Sequence, residues 1–163
     1  MSLKPIPDGY HTLTPFLTVR DASRAIDFYQ QAFGAQVRGG VAKDPAGKVM
    51  HAELKIGDSI IMLSDEYPEF GSLSPQSGGS TSMGLHLYVD DVDQAFDRAV
   101  KAGAHVDMPV ADQFWGDRYG RLKDPFGHKW SLATHTKEVA PEEMQRGMEE
   151  AFARAEAKMQ KTA

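Results

Sequence analysis

Gln113-Phe-Trp-Gly-Asp-Arg-Tyr-Gly-Arg-Leu-Lys-Asp-Pro-Phe-Gly-His-Lys-Trp130 is the stretch on which the fold turns. Tyr119 to Lys123 alternates as a strand does. Asp124-Pro125-Phe126-Gly127 follows as a tight turn, proline pre-setting one torsion and glycine supplying the unusual one. Lys129 to Thr134 resumes the alternation, so two antiparallel strands meet here. Trp115, Asp117, Arg118 and Tyr119 sit on the approach, a residue mix that suits a small-molecule pocket better than a plain connection.

Upstream the same grammar occurs twice. Thr12–Val19 reads as a strand with a bulge or edge at Pro15. Asp21 then caps a helix carrying Ala25, Ile26, Phe28, Tyr29, Ala32 and Phe33, which Gly34 ends. A weak strand over Gln36–Val41, a turn at Asp44–Gly47, and strands Lys48–Ile56 and Ser59–Ser64 joined by Gly57-Asp58 complete one module. After a Pro, Ser and Gly-rich linker over 67–81, Gly84–Val89 is a strand and Asp90 or Asp91 caps a second helix, closed by Gly103. A strand around Val106–Val110 then leads into the opening stretch. Val19-Arg-Asp matches Val89-Asp-Asp, Ala25-Ile-Asp matches Ala95-Phe-Asp, and Gly34-Ala matches Gly103-Ala. The pattern predicts tandem β-α-β-β-β modules, about 10–66 and 82–136, within one domain over 1–136. Residues 137–163 form a terminal helix with Met144, Met148, Phe152, Ala155 and Met159 on one face.

Composition narrows the partners. The 163 residues carry a net charge of −5, which argues against nucleic acid, and no cysteine, which excludes a disulfide scaffold or thiolate chemistry. No segment has the apolar length of a membrane span and no leader-like run opens the chain, so a soluble, cytoplasmic protein with no membrane partner is expected. Phosphate-loop, dinucleotide and serine-elbow motifs are absent, so no nucleotide cofactor is expected.

Two such modules, with helices that begin after an aspartate and end in Gly-Ala, resemble the vicinal oxygen chelate superfamily of glyoxalase I, extradiol dioxygenases and bleomycin-resistance proteins. Val49-Met-His-Ala-Glu-Leu54, Gln113–Arg121 and Asp124–Trp130 resemble its PhnB-like branch. The resemblance implies an α+β fold in which tandem βαβββ modules form a half-open eight-stranded barrel around a cavity, commonly as a homodimer. It also implies a metal-ligand position on the first and last strand of each module. These positions fall at Thr14, Met62, Gly84 and Ser131, none a competent ligand for a divalent cation. No metal and no cofactor are therefore expected.

Alternation assigns the cavity wall. The Gly57-Asp58 hairpin sets Glu53 opposite Met62, and His51 shares its face. His86 and Tyr88 share a face in the second module, with Tyr119 and Arg121 beside Ser131. The expected ligand-binding set is Phe16, His51, Glu53, Met62, His86, Tyr88, Tyr119 and Arg121, with Trp115 and Arg118 near the rim. Glu53 inside a cavity needs a partner, with Arg121 or a histidine nearest to hand, and is the candidate general base if burial raises its pKa. His11, His105, His128 and His135 fall at strand ends or turns and are expected to be solvated. Capture of a small organic molecule is the leading reading. A lyase, isomerase or dioxygenase using a displaced metal site at His51, Glu53 and His86 is the alternative, and a bare interaction protein is a third.

Overall fold

The computed structural model describes residues 4–160; Met1–Leu3 and the last three positions of the expected terminal helix lie outside them. The order is β1 (Phe16–Val19), α1 (Ala22–Phe33), β2 (Gln36–Lys43), β3 (Val49–Ile56), β4 (Ser59–Asp65), a 3-10 turn at Pro68–Phe70, a single-turn α2 (Pro75–Gly78), β5 (Gly84–Tyr88), α3 (Val92–Ala102), β6 (His105–Asp112), β7 (Asp117–Lys123), β8 (Lys129–His135) and α4 (Pro141–Gln160). The strands form two four-stranded sheets, ordered β1-β4-β3-β2 and β5-β8-β7-β6. In each sheet the first strand runs parallel to the last. This is the tandem βαβββ architecture.

The module starts follow from local chemistry. The Asp21 and Asp91 side chains accept the amides of Arg24 and Gln94, so each satisfies a donor that the first helical turn leaves open. A second cap comes from the end of each last strand: Asp65 accepts the Ala22 amide and Thr134 accepts the Val92 amide. Strand β1 begins later than the alternation predicts. Proline has no amide to give the ladder, and Pro15 joins it only through its carbonyl, which accepts from Met62.

Register is as the Gly57-Asp58 turn requires, with Ile56 opposite Ser59 and Glu53 opposite Met62. In β1, β3, β4, β5, β7 and β8 one parity is mostly apolar and packs in or against the core, whereas β2 and β6 bury no side chain. Leu17, Ala52, Leu54, Ile61 and Leu63 join Leu122, Trp130 and Leu132 in a single buried cluster that includes both helices. α1 packs on α3, so the helix-covered faces of the two sheets share that cluster. Gly120 permits the approach: a Cβ there would stand 2.7 Å from the Phe96 ring of α3.

The turn in the opening stretch clasps the modules together. Asp124 is buried, and its carboxylate accepts from the Phe126 and His128 amides of its own turn, from Trp130 Nε1 at 2.9 Å and from Tyr29 Oη of α1 at 2.7 Å. The Asp124 carboxylate and burial hold the Tyr29 hydroxyl well above its ordinary pKa, burial being the larger cause. His128, expected in solvent, is instead buried, with Nε2 3.0 Å from the Thr18 carbonyl of β1. The turn is therefore a cross-module contact, which its local sequence does not reveal.

α4 rests on the second module at Gly147, where a Cβ would meet Phe114 at 2.6 Å. Along its apolar stripe Met148 and Phe152 are exposed, Phe152 at 65%. Among the described residues no helix is long and apolar enough to cross a membrane.

Replacing Asp124 with alanine strands four buried donors, at a cost of about 3 kcal/mol or more, whereas Tyr29→Phe removes one donor from a satisfied acceptor and costs about 1–2 kcal/mol. Urea unfolding followed by circular dichroism gives both numbers, and equal losses would contradict this ranking.

Candidate functional site

The expected site residues divide between two sheet faces, both turned away from the shared core. In the first module Phe16, His51, Glu53 and Met62 share the open face. Phe16 pairs with Met62, and its ring lies 6.0 Å from the His51 ring. His51 Nε2 is 3.4 Å from Glu53 Oε1. Arg121, expected as a partner for Glu53, lies on the other sheet opposite Ser131. The Tyr10 hydroxyl is instead the largest cause of a Glu53 carboxyl pKa below the usual range, with His51 adding to it against partial desolvation. The raised pKa expected of a general base is therefore not found. Tyr10 and Arg38 complete this face, and sequence reasoning missed both. Tyr10 precedes any strand, and Arg38 reaches the face through its register opposite Glu53 on β2.

The second face is aromatic. His86 meets Tyr88 edge-on at 4.6 Å and stacks on Tyr119 at 6.0 Å, and Tyr119 meets Trp115 edge-on at 5.4 Å. Polar contacts hold the rings in place. His86 Nδ1 is 2.7 Å from Ser131 Oγ. Asp117, buried beneath the wall, accepts from Trp115 Nε1 at 3.0 Å and from the Tyr88 hydroxyl at 3.2 Å. Burial and that carboxylate together raise the Tyr88 pKa. Asp117 Oδ1 also faces His135 Nδ1 at 2.8 Å, and His135 Nε2 lies 3.3 Å from Glu138. His135, expected in solvent, is exposed, and both its ring nitrogens are also bound. His11 and His105 are mostly exposed. A run of aromatics on one strand parity was the available signal for this wall; the carboxylate under it was not legible, because Asp117 precedes the strand that the alternation predicts.

Arg118 does not join either face. It sits on the helix side, where Nε and Nη2 donate to Asp93 at 2.6 and 2.8 Å and Nη1 donates to Asp112 at 3.1 Å. Its guanidinium depresses the Asp93 pKa, and the two carboxylates hold the Arg118 pKa above its ordinary value. The parity of β7 explains the correction: Arg118 and Gly120 share one side, Tyr119 and Arg121 the other.

In one chain His51 and Glu53 line different cavities from His86. A cavity of about 450 Å³ is lined by Arg38, Gly39, Gly40, Val41, Ala42, His51 and Glu53, and one of about 670 Å³ by the 5–14 segment with Arg38, Glu53 and Met62. His86 lines a different cavity, between β5 and the start of β4. Register places Phe16 beside Met62 and His86 beside Ser131 at the paired first and last strands. The register thus sets Phe16 and His86, rather than Thr14 and Gly84, opposite Met62 and Ser131. Among the described residues no group of three or more His, Asp or Glu side chains is placed to hold a metal ion, so the displaced set of His51, Glu53 and His86 does not assemble in one chain.

The chain belongs to the Glyoxalase/Bleomycin resistance protein/Dioxygenase superfamily, whose family model matches residues 10–132. It is 48% identical over 139 residues to the Mycobacterium tuberculosis protein Rv0887c, covering 83% of this chain and 81% of that protein. Among solved structures it is similar to TioX from Micromonospora sp. ML1, with 31% identity and a TM-score of 0.61, covering 77% of this chain and 98% of that one. The PhnB protein from Bacillus cereus shares the fold at 20% identity, with a TM-score of 0.60 over 76% of this chain and 99% of that one.

The Asp117 and Glu138 carboxylates raise the His135 pKa, hydrogen bonding to Asp117 being the larger cause. A raised folded value means the contact stabilises fully below about pH 6.5, the unfolded value, and is lost as pH rises through the folded one. NMR titration is expected to place His135 above the ordinary imidazole range, with Glu138→Gln lowering it; an unshifted His135 would contradict the geometry.

Proposed function

We propose that this member of the superfamily binds a small, flat organic molecule against its aromatic wall, and that a second copy of the chain completes the site. One observation carries the reading: His86, Tyr88, Tyr119 and Trp115 touch ring to ring and are fixed from behind by Ser131 and Asp117, yet Tyr88 is 61% exposed. Ordering aromatic side chains in water has an entropic cost and leaves apolar area hydrated, which a stacking ligand would recover. The wall is preorganised for that. Phe16, His51, Glu53 and Met62 form the opposing surface in this reading, contributed by the partner. Support comes from their equivalent place in the first module and from exposed apolar residues around both faces, including Leu13, Phe16 and Met83. The assembly is then a homodimer in which the first module of one copy faces the second module of the other.

Ligand capture needs no catalytic group. Glu53 contacts the ligand rather than abstracting a proton, because its bound carboxylate is a weaker base than a free one. Arg121 stands exposed on the wall side and contacts the ligand margin. A cytoplasmic setting goes with this reading, without nucleic acid or membrane as partner.

The two tryptophans separate the signals, since Trp115 is in the wall and Trp130 is buried in the core. Titration with naphthalene-sized aromatics is expected to quench fluorescence saturably. Trp115→Phe should remove the ligand-dependent part, and Tyr119→Ala should weaken binding about tenfold. Sedimentation is expected to give a dimer. No saturable quenching by any planar aromatic, or quenching that survives Trp115→Phe, would refute the proposal.

A further inference from the structure

We propose that the molecule bound is an organic acid, its anionic group taken by Arg38 from beneath the 7–10 turn. This inference rests on the reading above and adds the chemical class. Arg38 projects from β2 onto the same face as Glu53, its cross-strand partner. Its guanidinium is only partly matched. Nη2 donates to the Asp8 carbonyl at 2.6 Å, and Nη1 is buried with no hydrogen-bond partner. It was the one buried side-chain nitrogen or oxygen found without a partner among the described residues. A cation has at most five donors to satisfy, and an unmatched one out of water is costly, so such a group marks a place where an acceptor belongs.

The surroundings say which acceptor. Arg38 lines both first-module cavities, about 450 and 670 Å³, so it sits between them. The larger has apolar walls from Pro5, Ile6, Pro7 and Met62. A cation lining a cavity with these apolar residues, beside the Glu53 carboxylate that also borders it, suits a molecule with an apolar body and one acidic group set over Arg38. Arginine's planar fork binds a carboxylate through two nitrogens at once, which Nη1 and Nη2 offer when a ligand oxygen takes the place of the Asp8 carbonyl.

The 7–10 turn holds this place by imitation. The Asp8 carbonyl supplies an acceptor to Nη2, and the Tyr10 ring lies 4.9 Å beneath the guanidinium. An acceptor and an aromatic ring are what an aromatic acid would bring. The turn is lightly held, since residues 4–9 are exposed and pair with no strand. Its one backbone bond is internal, from the Tyr10 amide to the Pro7 carbonyl. A ligand that supplies both oxygens can displace it.

The test compares two probes of one shape, 2-naphthoate and 2-naphthamide, by fluorescence titration of the full chain. Wild type is expected to bind the acid at least about tenfold more tightly than the amide. Arg38→Gln should abolish that preference, and Arg38→Lys should keep part of it. Equal affinity of wild type for both probes overturns the inference without needing any variant, and leaves the binding reading intact. A preference that survives Arg38→Gln also overturns it. Binding of neither probe overturns the inference and the binding reading together.

Discussion

The structure depends on one buried carboxylate. Asp124 takes four hydrogen bonds, and the Tyr29 bond comes from the other module. An unpaired buried charge would destabilise the chain, but this one has four donors aimed at it, so it is held by hydrogen bonds rather than by a cation. Around it Tyr29, Phe33 and Trp130 pack together, with Phe33 and Trp130 ring centroids 4.5 Å apart. The turn thus forms part of the shared core while it reverses the chain. His128 adds its bond to β1, tying the hairpin to the first module a second time.

That clasp decides where the functional surfaces lie. With α1 against α3, the helix-covered faces of the sheets are spent on the core, and the remaining faces look outward. Each carries aromatic and polar side chains that a solvent-facing sheet does not require. The second module's face is the more finished, its rings braced by Asp117 and Ser131. The first module's face has its cation and carboxylate covered by the chain's own 7–10 turn. In the proposed site the difference between the halves is a division of labour: one face stacks, the other reads charge. Repetition of the fold thus does not bring repetition of the chemistry.

Much of this was legible in the residues. The capping aspartates, the terminal glycines and the Gly57-Asp58 turn placed the helices and fixed the register, because those signals are local and physically strict. Parity placed Glu53 with Met62 and buried Trp130. Parity also explains the error at Arg118: position within a sequence cluster suggested a rim, but alternation along β7 points it to the helix side and Asp93. The carboxylates under the wall and in the turn were harder to read. Asp117 precedes the alternating run, and Asp124 looks like any turn aspartate until Tyr29 arrives from ninety-five positions away. Arg38 was passed over because β2 is weakly patterned and is broken by an irregularity between Arg38 and Val41. Such contacts belong to tertiary structure, and no window of sequence contains both partners.

The central claim is that the working site is built from the first module of one copy and the second module of another. Subunit mixing tests it most directly: a His51→Ala/Phe16→Ala chain is refolded together with a His86→Ala/Tyr119→Ala chain, and sites of full affinity for 2-naphthoate are counted. A shared site predicts that about a quarter of the wild-type sites return, the share that random pairing into dimers gives. A mixture that binds no better than its two components would show that each site lies within one chain.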